Sequence, residues 1–303
     1  MTELTGERYD FAGKNALVTG TSHGMGEKIG QILLSEGVHV IGNSRSGPPE
    51  SFADYIASGK ADYEQGDLVL RAKQVIENIY KKHGGSEILV INAGMFSSKP
   101  FFEATDEEID AIVDLNLKVP MKLFKHWYKL YDPNNEGAKK PELAVSIASI
   151  SSFYAWESGS AYQGAKAGLM ATLASYRSTL DRIRKESSTG ALSPRIIGIY
   201  PDNVATGLLE KDSTESSYAV KGDLLPVDTV VNTVIDAIKG QGDFGRYDDV
   251  AILVNPREPE TGAELKGAYL AFLPPDDETH RPDFSARQLV MVLDEDQLIK
   301  GNS

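Results

Sequence analysis

The stretch Ala16-Leu17-Val18-Thr19-Gly20-Thr21-Ser22-His23-Gly24-Met25-Gly26 decides the fold. A short apolar run leads directly into a glycine loop. Beyond the loop, Met25, Ile29, Ile32 and Leu33 recur at helical spacing. Strand, glycine loop and amphipathic helix in that order form the phosphate site of a nucleotide-binding sheet. Glycines let the backbone turn tightly and approach a pyrophosphate, and the helix N-terminus offers N–H groups and positive potential. Gly20, Ser22, His23, Gly24, Met25 and Gly26 are therefore candidate cofactor contacts. The spacing is G-x-x-x-G-x-G, and no Lys-Ser or Lys-Thr follows the last glycine, so this is not a Walker loop. A glycine trio alone is a weak signal. Its place between a strand and a helix gives it weight.

Outward from this point the chain alternates. The runs Val38 to Ile41, Glu87 to Ile91, Leu143 to Ile147 and Arg195 to Tyr200 are short, β-branched and nearly continuous. Such runs read as strands buried on both faces, hence a parallel sheet. Helical patterns span Val69 to Lys82, Asp106 to Tyr131 and Ala161 to Lys185. The alternation predicts an α/β fold with a doubly wound, Rossmann-like parallel sheet. Residues 43–50, 132–141, 187–193 and 206–223 read as irregular. The rhythm ends after Asn255, so residues 1–255 are expected to form the catalytic domain. Residues 256–303 hold Pro274-Pro275, acidic clusters and the apolar run Leu289 to Leu293. They are expected to be an extension packed on the same domain, at the sheet edge or across a homodimer interface, since such a run does not stay exposed when ordered.

Composition narrows the partners. Of 303 residues, 41% are hydrophobic and 25% charged, and the net charge is −13. A protein that neutralises phosphates usually carries a basic surface, so no nucleic acid and no anionic membrane surface is expected as a partner. The absence of cysteine excludes disulfides, thiolate catalysis and cysteine metal sites. The first ten residues are polar with no apolar signal core, and no window approaches the ~18 apolar residues of a membrane span. A cytoplasmic location is the expectation. No His or carboxylate cluster has metal-ligand spacing, so no metal is expected. Asp248-Asp249 and Asp276-Asp277 read as solvated turns.

The end of the second strand is where an acid usually holds the adenosine ribose of a dinucleotide. Here Val40-Ile41-Gly42-Asn43-Ser44-Arg45 carries no carboxylate: Ser44 stands at that position and Arg45 follows. A carboxylate repels a 2′-phosphate, whereas an arginine fork pairs with one. NADP(H) is accordingly favoured over NAD(H). Arg45 as a solvated loop residue is the bland alternative.

The sharpest chemical signal is Tyr162-Gln163-Gly164-Ala165-Lys166. Residues at i and i+4 share one helix face. A tyrosine with a reference pKa of about 10 is a poor base at neutral pH, and an adjacent ammonium stabilises its phenolate. Such pairs also occur by chance on solvated helices. The company of this one reduces that reading. Ser149 stands thirteen residues before Tyr162, just after the run Val145 to Ile147. Asn92-Ala93-Gly94 ends an earlier strand. Asn116 lies inside a helix, where asparagine is mildly unfavourable. The glycine loop, Asn92, Ser149 and Pro201 all follow strands, at the carboxyl ends where such a sheet binds ligands.

In these motifs the chain resembles the short-chain dehydrogenase/reductase family, in its compact single-domain branch, over residues 11–254. The matching pieces are Thr19 to Gly26, Asp67-Leu68, Asn92-Ala93-Gly94, Asn116, Ser149, Tyr162 with Lys166, and Pro201 to Thr206. The resemblance implies hydride transfer between the cofactor and an alcohol or carbonyl substrate. It implies Tyr162 as acid/base, Ser149 bonded to the substrate oxygen, and Lys166 on the nicotinamide ribose. Asn116 would support a proton relay. Asp67 and Leu68 would contact the adenine, Asn92 with Ala93 and Gly94 the adenosine side, and Pro201, Val204 and Thr206 the nicotinamide. The family spacing to the tyrosine favours Ser149 over Ser151 and Ser152.

Some positions depart from that pattern. Pro201-Asp202-Asn203 replaces the usual Pro-Gly, and His23 stands where NADP-preferring members often carry Arg or Lys. Val250 to Val254 runs into Asn255-Pro256-Arg257 instead of Asp-Gly-Gly. Two rivals remain at this level: a non-catalytic dinucleotide sensor, and a non-redox epimerase- or dehydratase-type member. The first would consume no NADPH with an activated carbonyl; the second would copurify with nucleotide without net turnover. The substrate space is expected between residues 96–102, 151–157 and 207–223. Phe153, Tyr154 and Trp156 line it or belong to the core.

Overall fold

The computed structural model describes residues 9–154, 157–186, 192–204, 224–240, 242–257, 261–276 and 279–292. Nine strands form one sheet in the order β3-β2-β1-β4-β5-β6-β7-β8-β9. They are β1 Asn15–Thr19, β2 His39–Asn43, β3 Ala61–Tyr63, β4 Ile88–Ile91, β5 Leu143–Ile147, β6 Arg195–Pro201, β7 Asp249–Val254, β8 Ala268–Leu273 and β9 Gln288–Val292. The first seven are parallel, and β8 and β9 add on antiparallel. Strand order reverses between β1 and β4, which opens a crevice at their carboxyl ends, the switch point where such sheets take ligands.

The helices are α1 Gly24–Ser35, α2 Ala53–Ala57, α3 Leu68–His83, α4 Asp106–Val113, α5 Val119–Lys129, α6 Ser160–Glu186 and α7 Val227–Lys239. Apolar residues of α1 and α7, among them Ile29, Leu33, Val230 and Val234, pack on one face of the sheet. Those of α3, α5 and α6, among them Val75, Leu123, Leu169 and Leu173, pack on the other. β1, β4 and β5 are buried at every position. That double burial is why they read as continuous apolar runs and not as alternating ones.

The expected helix 106–131 is interrupted. Asp114–Lys118 forms a π-turn between α4 and α5, with Asn116 at its centre. Such turns concentrate at functional sites. The short β3 and the whole of β8 had no separate signal in the periodicity. Val254 opposes Ala268 and Asp249 opposes Leu273 in the β7–β8 register, so chain beyond Asn255 continues the sheet. The apolar run at Leu289 belongs to β9; Leu293 lies outside the described residues.

Asp249 overturns the reading of Asp248-Asp249 as a solvated turn. Asp249 begins β7 and is 3% exposed. Arg177 of α6 grips it with two bonds, Nη1 to Oδ2 at 2.5 Å and Nη2 to Oδ1 at 3.0 Å, and the Tyr200 hydroxyl donates to Oδ1 at 2.8 Å. Burial pushes the Asp249 carboxyl up, against the pull of Arg177 and Tyr200. A bidentate pair of this kind is among the stronger hydrogen-bonded contacts, and its loss on one side leaves a buried charge. Gly198 makes the room: a Cβ there would stand 2.5 Å from Asp249 Oδ1. The network ties α6 to the strands beneath it.

Candidate active site

The glycine loop turns as the sequence requires. Gly20 and Gly24 have φ of 73° and 65°, a region open to glycine. A Cβ on Gly26 would lie 2.3 Å from the Gly20 carbonyl oxygen and 2.5 Å from Asn92 Nδ2. Thr19 ties the loop to the next strand end: its hydroxyl oxygen accepts from Asn92 N at 3.0 Å and Ala93 N at 3.1 Å. Asn92 Nδ2 in turn donates to the Thr19 carbonyl at 3.0 Å. Asn92 Oδ1 is buried without a partner among the described residues.

α1 begins without a side-chain cap, since His23 makes none. Its first-turn N–H groups therefore face the crevice uncapped, and a Cβ on Gly24 would meet nothing within 4 Å. Open amides at a helix N-terminus fit the phosphates of an anionic dinucleotide, and the amide oxygen of Asn92, an acceptor, fits only a donor such as a sugar hydroxyl. His23 is exposed, with Nδ1 3.3 Å from Ser22 Oγ, and Met25 packs partly on the core.

At the end of β2, Ser44 is already engaged. It accepts from the Tyr63 hydroxyl at 2.6 Å and donates to the Gly47 carbonyl at 3.0 Å. Thr21 Oγ1 donates to Tyr63 at 3.2 Å, so Tyr63 links the glycine loop to the end of β2. Nothing in the sequence pattern singled out Tyr63. Arg45 is exposed and makes no ion pair with a described residue. Asp67 caps α3 by accepting from Val69 N at 2.9 Å, and the Leu68 side chain is committed to the core. Pro201 is buried at the end of β6, Val204 packs in the core, and Thr206 lies outside the described residues. Asp202 binds Asn203 N at 2.8 Å through Oδ1.

Four side chains converge across the crevice. Tyr162 and Lys166 lie in the first turns of α6, and the Lys166 ammonium sits 5.5 Å from the centre of the Tyr162 ring. Ser149, just past the end of β5, lies close enough to the Tyr162 oxygen to favour its phenolate; its Oγ donates to Ser151 Oγ at 3.2 Å and accepts from Ser151 N at 3.1 Å. Asn116, 1% exposed, accepts from Met95 N at 3.3 Å and donates to Met95 O at 2.8 Å. A Cβ on Gly94 would stand 2.9 Å from Asn116 Oδ1 and 4.0 Å from Lys166 Nζ, so glycine lets these elements close together. Ser152 points elsewhere, donating to the Lys166 carbonyl at 2.9 Å.

Two pKa shifts follow from the surroundings. Burial pushes Tyr162 up to about 12, with the Ser149 hydrogen bond opposing. Burial lowers Lys166 to about 8. The sequence suggested that Lys166 depresses the tyrosine. In the protein alone its ammonium instead donates to the Ile147 carbonyl at 2.9 Å. Phe96 meets the Tyr162 ring edge-on at 5.0 Å, a neighbour that no motif announced.

A dinucleotide crevice with a Tyr-Lys helix across it defines a Rossmann-type oxidoreductase. The chain belongs to the short chain dehydrogenase family, whose profile matches residues 14–216. Members of this family bind a nicotinamide dinucleotide. The chain is 29% identical over 208 residues to 3-oxoacyl-[acyl-carrier-protein] reductase FabG of Salmonella typhimurium, covering 68% of this chain and 78% of that protein. It is 30% identical over 172 residues to 2-dehydro-3-deoxy-D-gluconate 5-dehydrogenase of Formosa agariphila, covering 53% and 61%. Its fold is similar to the crystal structure of 3-oxoacyl-[acyl-carrier protein] reductase from Brucella melitensis in complex with NAD. That likeness has a TM-score of 0.65 at 21% identity, over 82% of this chain and 95% of that one. Among the described residues no helix is long and apolar enough to cross a membrane, and no group of three or more His, Asp or Glu is placed to hold a metal ion.

Proposed function

We propose that this protein transfers a hydride between NADP(H) and an alcohol or carbonyl substrate, with Tyr162, Ser149, Lys166 and Asn116 as its acid/base machinery. The observation that carries this reading is the convergence of Ser149 and Tyr162 beside a buried Lys166, whose ammonium lies 5.5 Å from the Tyr162 ring centre. The bound nicotinamide supplies or accepts the hydride; the chain's own residues orient the substrate and move the proton. In carbonyl reduction Tyr162 gives its phenolic proton to the substrate oxygen as the carbon becomes an alcohol carbon. Ser149 donates to the same oxygen and stabilises the developing charge. Burial keeps Tyr162 protonated, and the Ser149 hydroxyl opposes that shift and so strengthens it as an acid. Lys166 would hold the nicotinamide ribose, and Asn116, fixed to the Met95 backbone, would keep the proton path to Lys166 in place. The similarity to 3-oxoacyl-thioester reductases favours a carbonyl in the 3-position of an acyl chain as the substrate type.

The preference for NADP(H) is supported by the lack of a carboxylate at the end of β2. Ser44 is occupied by Tyr63 and Gly47, which leaves Arg45 as the group free to pair with a 2′-phosphate. The loop Gly20 to Gly26 would cradle the pyrophosphate, with Asn92 to Gly94 beside it. The described residues between 256 and 292 read as part of the same domain because β8 and β9 continue its sheet. Fluorescence titration tests the cofactor. NADPH should bind several-fold more tightly than NADH, and the pair Ser44→Asp with Arg45→Ala should reverse the order. Equal affinities in the parent protein would remove the basis for NADP(H).

A further inference from the structure

The turn joining β8 to β9 lies beyond the residues that the family profile covers, yet it reaches the catalytic serine's segment. Asp283 shapes it: Oδ1 accepts from Ser285 N at 2.9 Å, Ser285 Oγ at 2.6 Å and Ala286 N at 3.3 Å. An Asx turn of this kind fixes the backbone and projects its neighbour. That neighbour is Phe284. Its ring packs on Phe153 at 4.7 Å and meets Tyr154 edge-on at 5.4 Å. Arg287 lies over the Phe284 ring at 4.7 Å and donates to the Phe284 carbonyl at 3.0 Å and the Arg257 carbonyl at 3.3 Å.

The segment touched by Phe284 begins at Ser149. It is a single turn, with Ser152 N bonded to Ser149 O at 3.0 Å and Phe153 N to Ile150 O at 2.8 Å. One such turn does not hold itself in place, because short 3₁₀ pieces are weak. Its position is set by side chains. On one side Ser152 bonds the Lys166 carbonyl at 2.9 Å, one turn of α6 beyond Tyr162, and Ser149 lies beside the Tyr162 oxygen. On the other, Phe153 is clasped between Tyr200, at 5.0 Å, and Phe284. Tyr200 is itself anchored by Asp249. Of the two clasping rings, only Phe284 comes from the C-terminal turn.

We infer that Phe284 is a positioning residue for the reaction: packed on Phe153 and Tyr154, it holds the segment from Ser149 onward so that the Ser149 hydroxyl meets Tyr162. The C-terminal turn is then a working part of the active site. This rests on the assignment of Tyr162 and Ser149 above. Phe284 touches no reacting atom, so its removal acts on turnover through Ser149 and leaves the glycine-loop side untouched.

The test measures NADPH-dependent reduction of a 3-oxoacyl thioester and of an activated diketone by the parent, Phe284→Ala, Phe284→Tyr, Phe153→Ala, the Phe153→Ala/Phe284→Ala double variant and Tyr162→Phe. Phe284→Ala should lower kcat by about tenfold or more, since misplacement by about 1 Å can cost ~10²-fold. Its NADPH affinity should stay within about twofold of the parent, a margin small beside the tenfold step of 1.4 kcal/mol. Phe284→Tyr, which keeps the ring, should restore turnover. The double variant should turn over no more slowly than Phe153→Ala alone, because the two rings act as a unit. If Phe284→Ala fails to fold, Phe284→Leu takes its place with the same expectations at smaller size. A folded, NADPH-binding Phe284→Ala or Phe284→Leu with parental kcat overturns the inference, as does a double variant whose losses multiply. Near-parental turnover in Tyr162→Phe would instead overturn the acid/base assignment beneath it.

Discussion

The two walls of the crevice are built on opposite principles. The glycine-loop wall is made of backbone and gaps: α1 starts without a side-chain cap, Asn92 Oδ1 is buried without a partner among the described residues, and Gly26 lies where a Cβ would overlap the Gly20 carbonyl. The α6 wall is made of side chains already bonded to the protein: Ser149 to Ser151, Lys166 to the Ile147 carbonyl, Asn116 to Met95, Ser152 to the Lys166 carbonyl. The first wall leaves helix amides open to a ligand. The second has its geometry set before a ligand arrives, so less reorganisation remains at the moment of reaction. Binding and chemistry should therefore be separable by substitution.

The largest effect that would sharpen this contrast is expected at Gly26. Gly26→Val puts a branched side chain against the Gly20 carbonyl, from which even a Cβ stands only 2.3 Å. NADPH binding should fall by ~10²-fold or more, since backbone approach to the pyrophosphate is what the glycine permits. The fold should persist by circular dichroism. Retained affinity would mean that the loop is not the phosphate site.

Ser149→Ala is the next, and it acts on the other wall. Loss of a donor to the substrate oxygen should cost roughly 10²–10³-fold in kcat by analogy with oxyanion-hole donors, with NADPH affinity unchanged. Ser152→Ala should be milder, because its hydroxyl holds the Lys166 carbonyl and not Tyr162. Steady-state kinetics on both variants would break the contrast if Ser152→Ala were the dead one.

The smallest effect lies at the opposite end of the sheet and leaves both walls alone. His39 opens β2, its Nε2 is buried without a partner among the described residues, and its ring stands 5.1 Å from that of His83. Burial first, and then His83, hold its imidazole below the ordinary 6.5. The unfolded chain therefore takes up this proton more readily than the folded one, so the contribution to stability is complete above about 6.5 and declines as pH falls below it. The melting temperature should drop on going from pH 7.5 to 5.5, and His39→Leu should drop less. An equal drop in both proteins would show that His39 does not carry the effect.

Much of this was legible in the sequence, for physical reasons. Strands buried on both faces show as unbroken apolar runs, which is why β1, β4, β5 and β6 were readable. β3 is three residues with Asp62 in the middle, too short to show a period. The helix from Asp106 had the right periodicity, but the π-turn at Asn116 leaves no compositional trace. Glycine loop, Ser149, Asn116, Tyr162 and Lys166 stood out because local spacing and strand ends place them. Tyr63, Phe284 and the Arg177–Asp249 pair did not, since each gains its meaning from a partner far away in the chain. Arg177 and Asp249 are 72 residues apart, and two adjacent aspartates read as solvated until an arginine is found between helix and sheet.

The proposed proton path runs through Tyr162, on the wall opposite the glycine loop that would cradle the pyrophosphate. The most direct measurement compares the parent with Tyr162→Phe, taking NADPH affinity by fluorescence and turnover on the same activated carbonyl. The substitution keeps the ring against Phe96 and removes only the ionisable oxygen. Turnover should fall by at least the ~10²-fold of a general acid, with NADPH affinity preserved. Near-parental turnover in Tyr162→Phe, with NADPH bound normally, would contradict the claim.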